Sequence, residues 1–344
     1  MYFGKRLSKG IRFWLVAALA VVVLAGVSLC GQKSEPVDGP LEVSVMSFNI
    51  RYGTAGDGEN RWQNRRQMVF DLIGKYGPDV VGLQEALGFQ IDEICKALPQ
   101  YAMIGVGRDD GKTKGEYSAI LYRRERFEVE QGGTFWLSDT PEVPGSITWG
   151  NACTRICTWA RFVEAKTGKA FYHYNLHLDH ISQSSREKSV VLLAKRIRNR
   201  KHPEPFVVSG DFNAGENNPA ILFLKGRSTV PGKDNANVEN PVPMVDTFRV
   251  LHPDANDVGT FHSFKGDCTG DKIDFVLTTS DVQALDAQII RDNVDGRYPS
   301  DHFPVTARLR FSASLVRGKQ TSCLLDSKDR GARFLLNSHG DSIY

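Results

Sequence analysis

The chain has 344 residues, of which 41% are hydrophobic and 24% are charged, and these fractions are close to those of ordinary globular proteins. This composition excludes a disordered, collagen-like or coiled-coil protein for the bulk of the chain. The formal net charge is +3, but the basic excess lies at the two ends of the chain, so the region between them lacks the basic surplus that proteins holding long nucleic acids usually carry.

The first 30 residues have the pattern of an export signal. Four basic residues precede an apolar run from Phe13 to Val27, and small residues follow at Ser28 and Cys30. An uncleaved membrane anchor is the alternative, because the segment from Phe13 to Cys30 is just long enough to cross a bilayer once. Cys30 also resembles the lipid-modified cysteine of bacterial lipoproteins. Each version places the body of the protein outside the cytoplasm, in the periplasm or anchored to the membrane through this segment.

Short strand patterns follow residues 31–40, which we interpret as a polar linker. Apolar and β-branched runs predict strands, in chain order, at Val43–Phe48, Val80–Leu83, Ala119–Tyr122, Thr154–Val163, Phe171–Leu176, Phe206–Ser209, Ile273–Leu277 and Val305–Phe311. No linker pattern interrupts residues 41–311, so we predict one domain there. Residues 312–344 lose the strand pattern and are expected to form a poorly ordered tail.

Apolar residues at helical spacing predict two helices between these strands. The two sets are Val69, Leu72, Ile73 and Tyr76, and Val190, Leu193, Ala194 and Ile197. Asn60 stands where the first helix could be capped, and residues 184–187 have the Ser-x-x-Glu spacing of a capping box for the second.

Polar residues stand at the ends of six of the predicted strands. Four apolar runs end on polar residues, in the segments Ser47-Phe48-Asn49, Leu83-Gln84-Glu85, Asn175-Leu176-His177 and Gly210-Asp211-Phe212-Asn213. Two further runs begin with polar residues, in the segments Lys272-Ile273-Asp274 and Ser300-Asp301-His302. If all six groups meet at one edge, strands that end there and strands that start there run in opposite directions. The pattern therefore favours a mixed or antiparallel sheet over an all-parallel dinucleotide-binding fold.

Such an edge would gather four acidic residues, which are Glu85, Asp211, Asp274 and Asp301. Carboxylates placed together repel one another, and a divalent cation or a protonated neighbour relieves the repulsion. Oxygen ligands without thiolates suit Mg²⁺, Mn²⁺ or Ca²⁺ better than Zn²⁺. A hard cation beside histidine and aspartate is the arrangement that hydrolysis of a phosphate ester requires.

Each of these residues also has an ordinary structural interpretation. Asn49 and Asp274 are common turn residues, Glu85 could cap a following helix, and His177 could lie in a loop. The joint pattern carries the prediction, because six separate coincidences at strand ends would otherwise be needed.

The six motifs, in this order, resemble those of the endonuclease/exonuclease/phosphatase superfamily, the DNase I-like proteins. The resemblance covers about residues 41–311, and it is closest to exported bacterial members, in which the phrases at residues 108–111, 133–138 and 295–299 are familiar. It implies an α/β fold, a four-layer α/β/β/α sandwich with two facing mixed β-sheets, helices outside, and the site at one edge.

The resemblance also implies roles for individual residues. The expected metal ligands are Asn49, Glu85 and Asp301, and the expected catalytic residues are His177, Asp211, Asn213, Asp274 and His302. Asp211 would orient or deprotonate the attacking water, and His177 and Asn213 would hold the phosphate. His302, oriented by Asp274, would be the general base or a transition-state stabiliser. Residues beside the motifs are candidates for substrate contact or for solvated surface positions, namely Arg51, His180, Arg186 and Arg297.

We therefore expect an exported, divalent-metal-dependent phosphoesterase that acts as a monomer. Phosphodiesters, with nucleic acid as the partner, are the first substrate class to consider. Phospholipid, phosphoinositide and sugar-phosphate substrates are the alternative, because the family reuses one site and selects substrates by the surrounding loops. A phosphate-binding protein without turnover is the alternative of another class.

Overall fold

The computed structural model describes Met1, residues 39–232 and residues 236–312. The predicted signal segment at residues 1–30, most of the linker and the tail at residues 312–344 lie almost entirely outside the described residues, so these assignments and the single domain stay predictions. None of the helices in the described ranges has the length and apolar character needed to cross a bilayer.

Two mixed β-sheets of six strands each form the centre of the described part. The strands are β1 (Leu41–Asn49), β2 (Val80–Gln84), β3 (Tyr101–Ile104), β4 (Ile120–Arg123), β5 (Phe127–Trp136), β6 (Ile156–Glu164), β7 (Ala170–His177), β8 (Phe206–Asp211), β9 (Val230–Pro231), β10 (Asn237–Val238), β11 (Val245–Asp246), β12 (Asp274–Thr278), β13 (Gln283–Ile289) and β14 (Val305–Phe311). The order is β13-β14-β1-β2-β4-β3 in the first sheet and β11-β12-β8-β7-β6-β5 in the second, and β9 pairs with β10. The α-helices are α1 (Trp62–Tyr76), α2 (Gly88–Ala97), α3 (Gln183–Arg198), α4 (Pro219–Leu224) and α5 (Thr247–Leu251).

Apolar side chains form a core on both faces of each sheet. Val45 and Val207 belong to the cluster between the sheets, Ile73 of α1 packs on the outer face of the first sheet, and Leu193 of α3 packs on the outer face of the second. All four side chains are fully buried. Helix, sheet, sheet and helix therefore form successive layers, and the predicted four-layer sandwich is confirmed.

The two predicted helices are present, but neither begins as expected. Asn60 belongs to a preceding 3-10 turn, and the N-cap of α1 is Arg61, whose side chain makes no capping hydrogen bond. The hydroxyl of Ser182 caps α3 by accepting a hydrogen bond from the Ser185 N–H. The capping box predicted at residues 184–187 was wrong, because the helix begins before it and those residues lie in the first turn.

Strand direction brings the polar motifs to one edge. β1 runs parallel to β2, and β7 runs parallel to β8, and all four end at the edge where β12 and β14 begin. Asp211 of β8 is the register partner of Asp274 in the antiparallel β12 and of His177 in the parallel β7. The mixed-sheet prediction is confirmed, and backbone pairing alone places these three residues side by side.

A buried amide links the two sheets directly beneath this edge. Asn175 Nδ2 donates to the carbonyl oxygens of Leu83 (2.8 Å) and Ala119 (2.9 Å). Asn175 Oδ1 accepts from Gln84 Nε2 (2.7 Å) and Ser209 Oγ (3.0 Å). The side chain thus satisfies both of its donors and both acceptor positions, and it fixes the spacing of the sheets where the polar motifs meet.

Asn175→Ala is expected to lower the free energy of unfolding by about 3–5 kcal/mol, because it leaves buried donors and acceptors of both sheets without partners. Urea unfolding followed by circular dichroism would measure the change. The same substitution at the exposed Asn217 serves as the control and should cost less than about 1 kcal/mol. Similar losses for the two variants would contradict the proposed linking role.

Candidate active site

The polar strand ends line one pocket with a volume of about 430 Å³. The residues predicted from the sequence that line it are Arg51, Glu85, His177, His180, Asp211, Asn213, Asp301 and His302. Asn49 and Asp274 lie directly behind this surface, where they contact Asp211 and His302. The structure therefore brings the predicted metal ligands and catalytic residues together, while their individual roles remain predictions.

Oxygen-bearing side chains gather where the cation was predicted. Asn49 Nδ2 donates to Glu85 Oε1 (3.2 Å) and to Asp211 Oδ2 (3.0 Å). The Arg51 guanidinium lies 3.7 Å from Glu85 Oε2 and 3.7 Å from Asp301 Oδ2. Burial raises the pKa of Asp301, which shows that a negative charge there needs compensation. The carboxylate oxygens of Glu85 and Asp301 fit a hard divalent cation, whereas Asn49 Oδ1 accepts from the Arg51 N–H (3.0 Å) and would have to turn toward the carboxylates to join them as a ligand.

The backbone around the pocket adopts conformations that are rare for residues other than glycine. The φ angle is +56° at Arg51, +58° at Glu85 and +47° at Asn213. Each of these residues lies within two positions of the end of a strand. A left-handed backbone at a residue other than glycine is strained, and it persists only where the surrounding structure holds it. Here it bends the chain after each strand, so that these three side chains point into the pocket.

Arg65 of α1 fixes two of the pocket loops and was not predicted from the sequence. Its side chain is 1% exposed, and it donates to the carbonyl oxygens of Ile50 (2.6 Å), Arg51 (2.9 Å), Asn60 (2.9 Å) and Pro299 (2.9 Å). Burial lowers its pKa to about 10, so the guanidinium remains charged at neutral pH. The segment that carries Arg51 is thereby held against the segment that precedes Asp301.

His302 lies between two buried aspartates. Its Nδ1 is 2.9 Å from Asp274 Oδ2, and its Nε2 is 3.8 Å from Asp211 Oδ2. Burial opposes the charge on His302, but Asp274 and Asp211 outweigh it and raise the pKa to about 10. Burial, with the charge of Asp274, raises the pKa of Asp211 to about 7. The three ligand atoms lie within 4.8 Å of one another, but an imidazolium cannot ligate a metal, so in this state the trio is an ion pair of His302 and Asp274 with Asp211 beside it.

His177 and Asn213 complete the pocket floor, which we define as the surface formed by His177, Asp211, Asn213 and His302. His177 Nε2 lies 2.9 Å from Asn213 Nδ2 and 3.3 Å from Asp211 Oδ2. Burial lowers the pKa of His177, and the positive charges of Arg155 and Arg108 lower it further, so the ring is neutral. Asn213 Nδ2 donates to the neutral ring and to the Leu178 carbonyl (3.0 Å), so a phosphoryl oxygen would replace one of these two hydrogen bonds of the Asn213 amide.

The outer wall contains residues that the sequence did not single out. The additional lining residues are Tyr52, Arg108, Glu116, Cys153, Arg155, Phe261 and Ile273. Arg155 is 4% exposed, and its guanidinium lies 2.8 Å from His180 Nδ1 and 3.6 Å from Asp179 Oδ2. Arg108 could have been found from the family phrase at residues 108–111, whereas Arg155 lies in a predicted strand and gives no such signal.

Two predicted substrate contacts are not in the pocket lining. Arg186 donates to Gln183 Oε1 (2.8 Å) and to the Asp179 carbonyl (2.8 Å), so it braces the loop that carries His180. Arg297 donates to the Glu59 carbonyl (3.3 Å) on the protein surface. Their side chains are engaged elsewhere, and a role in substrate binding stays a prediction without support from a pocket contact.

Arg51→Met is expected to make stability depend on a divalent cation. Without the guanidinium, Glu85 and Asp301 lose one of the positive charges beside them, and Asp57 loses its two hydrogen bonds to Arg51 (3.0 and 3.1 Å). The melting temperature in chelator should therefore fall by about 3–6 °C and recover in part when millimolar Mg²⁺ is added. Thermal unfolding with and without Mg²⁺ would measure this, with the exposed Arg61→Met as the control. An equal loss in both conditions would argue against a cation between the two carboxylates.

Comparison with known proteins finds relatives over most of the chain. The model of the Endonuclease/Exonuclease/phosphatase family matches residues 46–302, which include the pocket floor. The crystal structure of an endonuclease/exonuclease/phosphatase from Bacteroides vulgatus is similar at 34% identity and a TM-score of 0.69, covering 79% of this chain and 100% of that chain. A mannosyl-6-phosphatase of Bacteroides thetaiotaomicron is similar at 31% identity and a TM-score of 0.68, covering 78% and 100%. An uncharacterized protein of Acanthamoeba polyphaga mimivirus is 29% identical over 184 residues, which are 51% of this chain and 68% of that protein.

Proposed function

The chain belongs to the endonuclease/exonuclease/phosphatase family and hydrolyses phosphoric esters, and from this premise we propose that it removes phosphate from a small hydroxylated molecule of the sugar-phosphate class. The observation that carries the proposal is a pocket of about 430 Å³ with the acid and histidine cluster at its floor, a size typical of small-molecule sites. The similarity to a mannosyl-6-phosphatase at 31% identity supports the same substrate class.

Charge on the outer wall also favours a small substrate with a neutral leaving group. Arg108 Nη1 lies 2.6 Å from Glu116 Oε2, and Arg155 Nε lies 3.6 Å from Asp179 Oδ2. Both arginines are thus paired with carboxylates. Proteins that hold a long polyanion instead present unpaired basic residues along its path.

The reaction requires a divalent cation, and Asn49, Glu85 and Asp301 are the residues that would hold it. We propose Mg²⁺, with Mn²⁺ or Ca²⁺ as alternatives, because the donors are hard oxygens. When bound, the cation neutralises charge on the phosphoryl and leaving-group oxygens. The chain's own contribution is to bring these three residues together at the strand ends, with the Glu85 side chain turned inward by its left-handed backbone.

The remaining floor residues act on water and phosphate. Asp211 orients the attacking water, since its carboxylate lies between the other floor groups. Asn213 and His177 hold phosphoryl oxygens from one side. His302, kept charged and in place by Asp274, stabilises the negative charge that develops on the other side.

We also propose that the enzyme works outside the cytoplasm. The support is the basic and apolar pattern of residues 1–30. Fractionation of cells that express the full chain would test this, and recovery of the protein with cytoplasmic markers would contradict it.

A substrate panel tests the proposed activity. Mannose 6-phosphate, p-nitrophenyl phosphate, bis(p-nitrophenyl) phosphate and a single-stranded oligonucleotide would each be incubated with the purified protein in chelator, Mg²⁺, Mn²⁺ or Ca²⁺. We expect kcat/KM to be highest for the hexose phosphate and activity to vanish in chelator. A preference for the diesters would support the substrate class first expected from the sequence. Hydrolysis of none of them with any metal would point to a binding protein.

A further inference from the structure

Arg108 and Glu116 form an ion pair on the pocket wall, and the chemistry described above leaves this pair without a role. Arg108 Nη1 donates to Glu116 Oε2 at 2.6 Å, and the two side chains are 15% and 17% exposed. Both residues line the same pocket as the floor groups. Glu116 offsets much of the charge that Arg108 exerts on His177, so the pair adds little to the attraction of the phosphate.

The loop between these residues is built to hold them in place. The Arg108 N–H donates to the Glu116 carbonyl (3.0 Å), so the two ends of the loop are bonded to each other. Within the loop, Asp110 Oδ1 accepts from the N–H groups of Lys112 (2.8 Å) and Lys114 (3.0 Å). A binding pair that is fixed before the ligand arrives loses little conformational entropy on binding.

The chemistry of the pair indicates what it contacts. An ionised carboxylate only accepts hydrogen bonds, and a guanidinium only donates them. Arg108 Nε is buried, lies 3.9 Å from Asp109 Oδ1 and has no hydrogen-bond partner among the described residues. The bond to Glu116 uses one of the five N–H donors of the guanidinium, so its Nη groups keep donors for a ligand. A hydroxyl group can donate to Glu116 and accept from Arg108, and two neighbouring hydroxyls can engage both residues at once.

Other leaving groups fit this wall less well. A second phosphate or a nucleotide chain would place negative charge against Glu116, and an ammonium headgroup would place positive charge against Arg108. A neutral polyol avoids both repulsions. The wall therefore matches the uncharged, hydroxyl-rich end of a sugar phosphate.

We propose that Arg108 and Glu116 bind two neighbouring hydroxyl groups of the sugar from which the phosphate is removed, and that they thereby select hydroxylated leaving groups. The inference rests on the proposed function, because it assigns the specificity of the same pocket. Neither residue contacts the reacting atoms in this assignment, so their substitution should affect sugar substrates and spare a simple aryl phosphate.

Glu116→Gln tests the inference, because it keeps the size of the side chain and removes its charge and one acceptor. In the full-length protein, kcat/KM for mannose 6-phosphate should fall by about 10- to 100-fold, while kcat/KM for p-nitrophenyl phosphate, which lacks neighbouring hydroxyls, should change by less than about threefold. Arg108→Lys keeps the positive charge but loses the planar guanidinium with its paired donors. It should likewise lower kcat/KM for mannose 6-phosphate far more than kcat/KM for p-nitrophenyl phosphate. The exposed Lys114→Met in the same loop should change neither substrate.

Monodeoxy analogues of mannose 6-phosphate provide a second measurement that needs no variant. The unmodified protein should lose a similar factor on at least one analogue, and Glu116→Gln should lose nothing further on that analogue, because the same hydrogen bond is already gone. Equal losses on both substrates in the variants, or full activity on every analogue, would overturn this inference and leave the proposed function standing. Cleavage of p-nitrophenyl phosphate without cleavage of mannose 6-phosphate by the unmodified protein would overturn the proposed function and the inference with it.

Discussion

Glu85→Gln is expected to reduce kcat/KM for phosphate esters by about 1,000-fold or more while leaving the protein folded. A bound cation is worth several kcal/mol of transition-state stabilisation, and Glu85 is the carboxylate best placed to hold it. Its Oε1 accepts from Asn49 and its Oε2 accepts from the Tyr52 N–H at 3.2 Å. Glutamine keeps the volume and one of these two acceptors, and it removes one of the clustered negative charges. Stability without metal should therefore change little.

The Glu85 variant separates loss of metal binding from loss of folding. In the unmodified protein, millimolar Mg²⁺ should raise the melting temperature, and in Glu85→Gln that increase should be smaller or absent. The exposed Glu59→Gln serves as the matched control and should keep both activity and the Mg²⁺ response. Full activity in Glu85→Gln would remove Glu85 from the metal site.

The edge that carries the site could be predicted because the relevant information is local. A polar residue at the end of an apolar run, as at Asn49 or His177, marks where a strand stops, and a polar residue at the start, as at Asp274, marks where one begins. Strand direction then follows from the requirement that the groups meet. The observed pairing of Asp211 with Asp274 in antiparallel strands is the arrangement that this reasoning requires.

The outer wall could not be predicted in the same way, because its residues are brought in by the packing of loops. Glu116 lies at the end of a loop and Arg155 lies beside a strand, and neither has a neighbour in sequence that marks it as part of a site. Arg186 illustrates the converse. Its closeness to a motif suggested a substrate contact, but its position in the first turn of α3 directs it to Gln183 and the Asp179 carbonyl. Proximity in sequence does not fix the direction of a side chain on a helix.

His302→Asn is expected to lower kcat by about 100- to 10,000-fold, the range for removing a positioned acid, base or charge stabiliser. The imidazolium is the positive group between Asp274 and Asp211, and asparagine can keep a hydrogen bond to Asp274 without supplying that charge. Alanine is a poorer choice. It would leave two buried carboxylates without a counter-charge, and removing one partner of a buried ion pair typically costs about 3–5 kcal/mol.

A double variant distinguishes a shared role from two separate ones. If Asp274 acts by orienting and charging His302, then Asp274→Asn combined with His302→Asn should be no slower than His302→Asn alone, because residues that act as a unit are not additive. The exposed His252→Asn controls for the loss of a histidine. Additive losses in the double variant would mean that Asp274 has a function independent of His302, and retention of more than about a tenth of the activity in His302→Asn would remove the imidazolium from the mechanism.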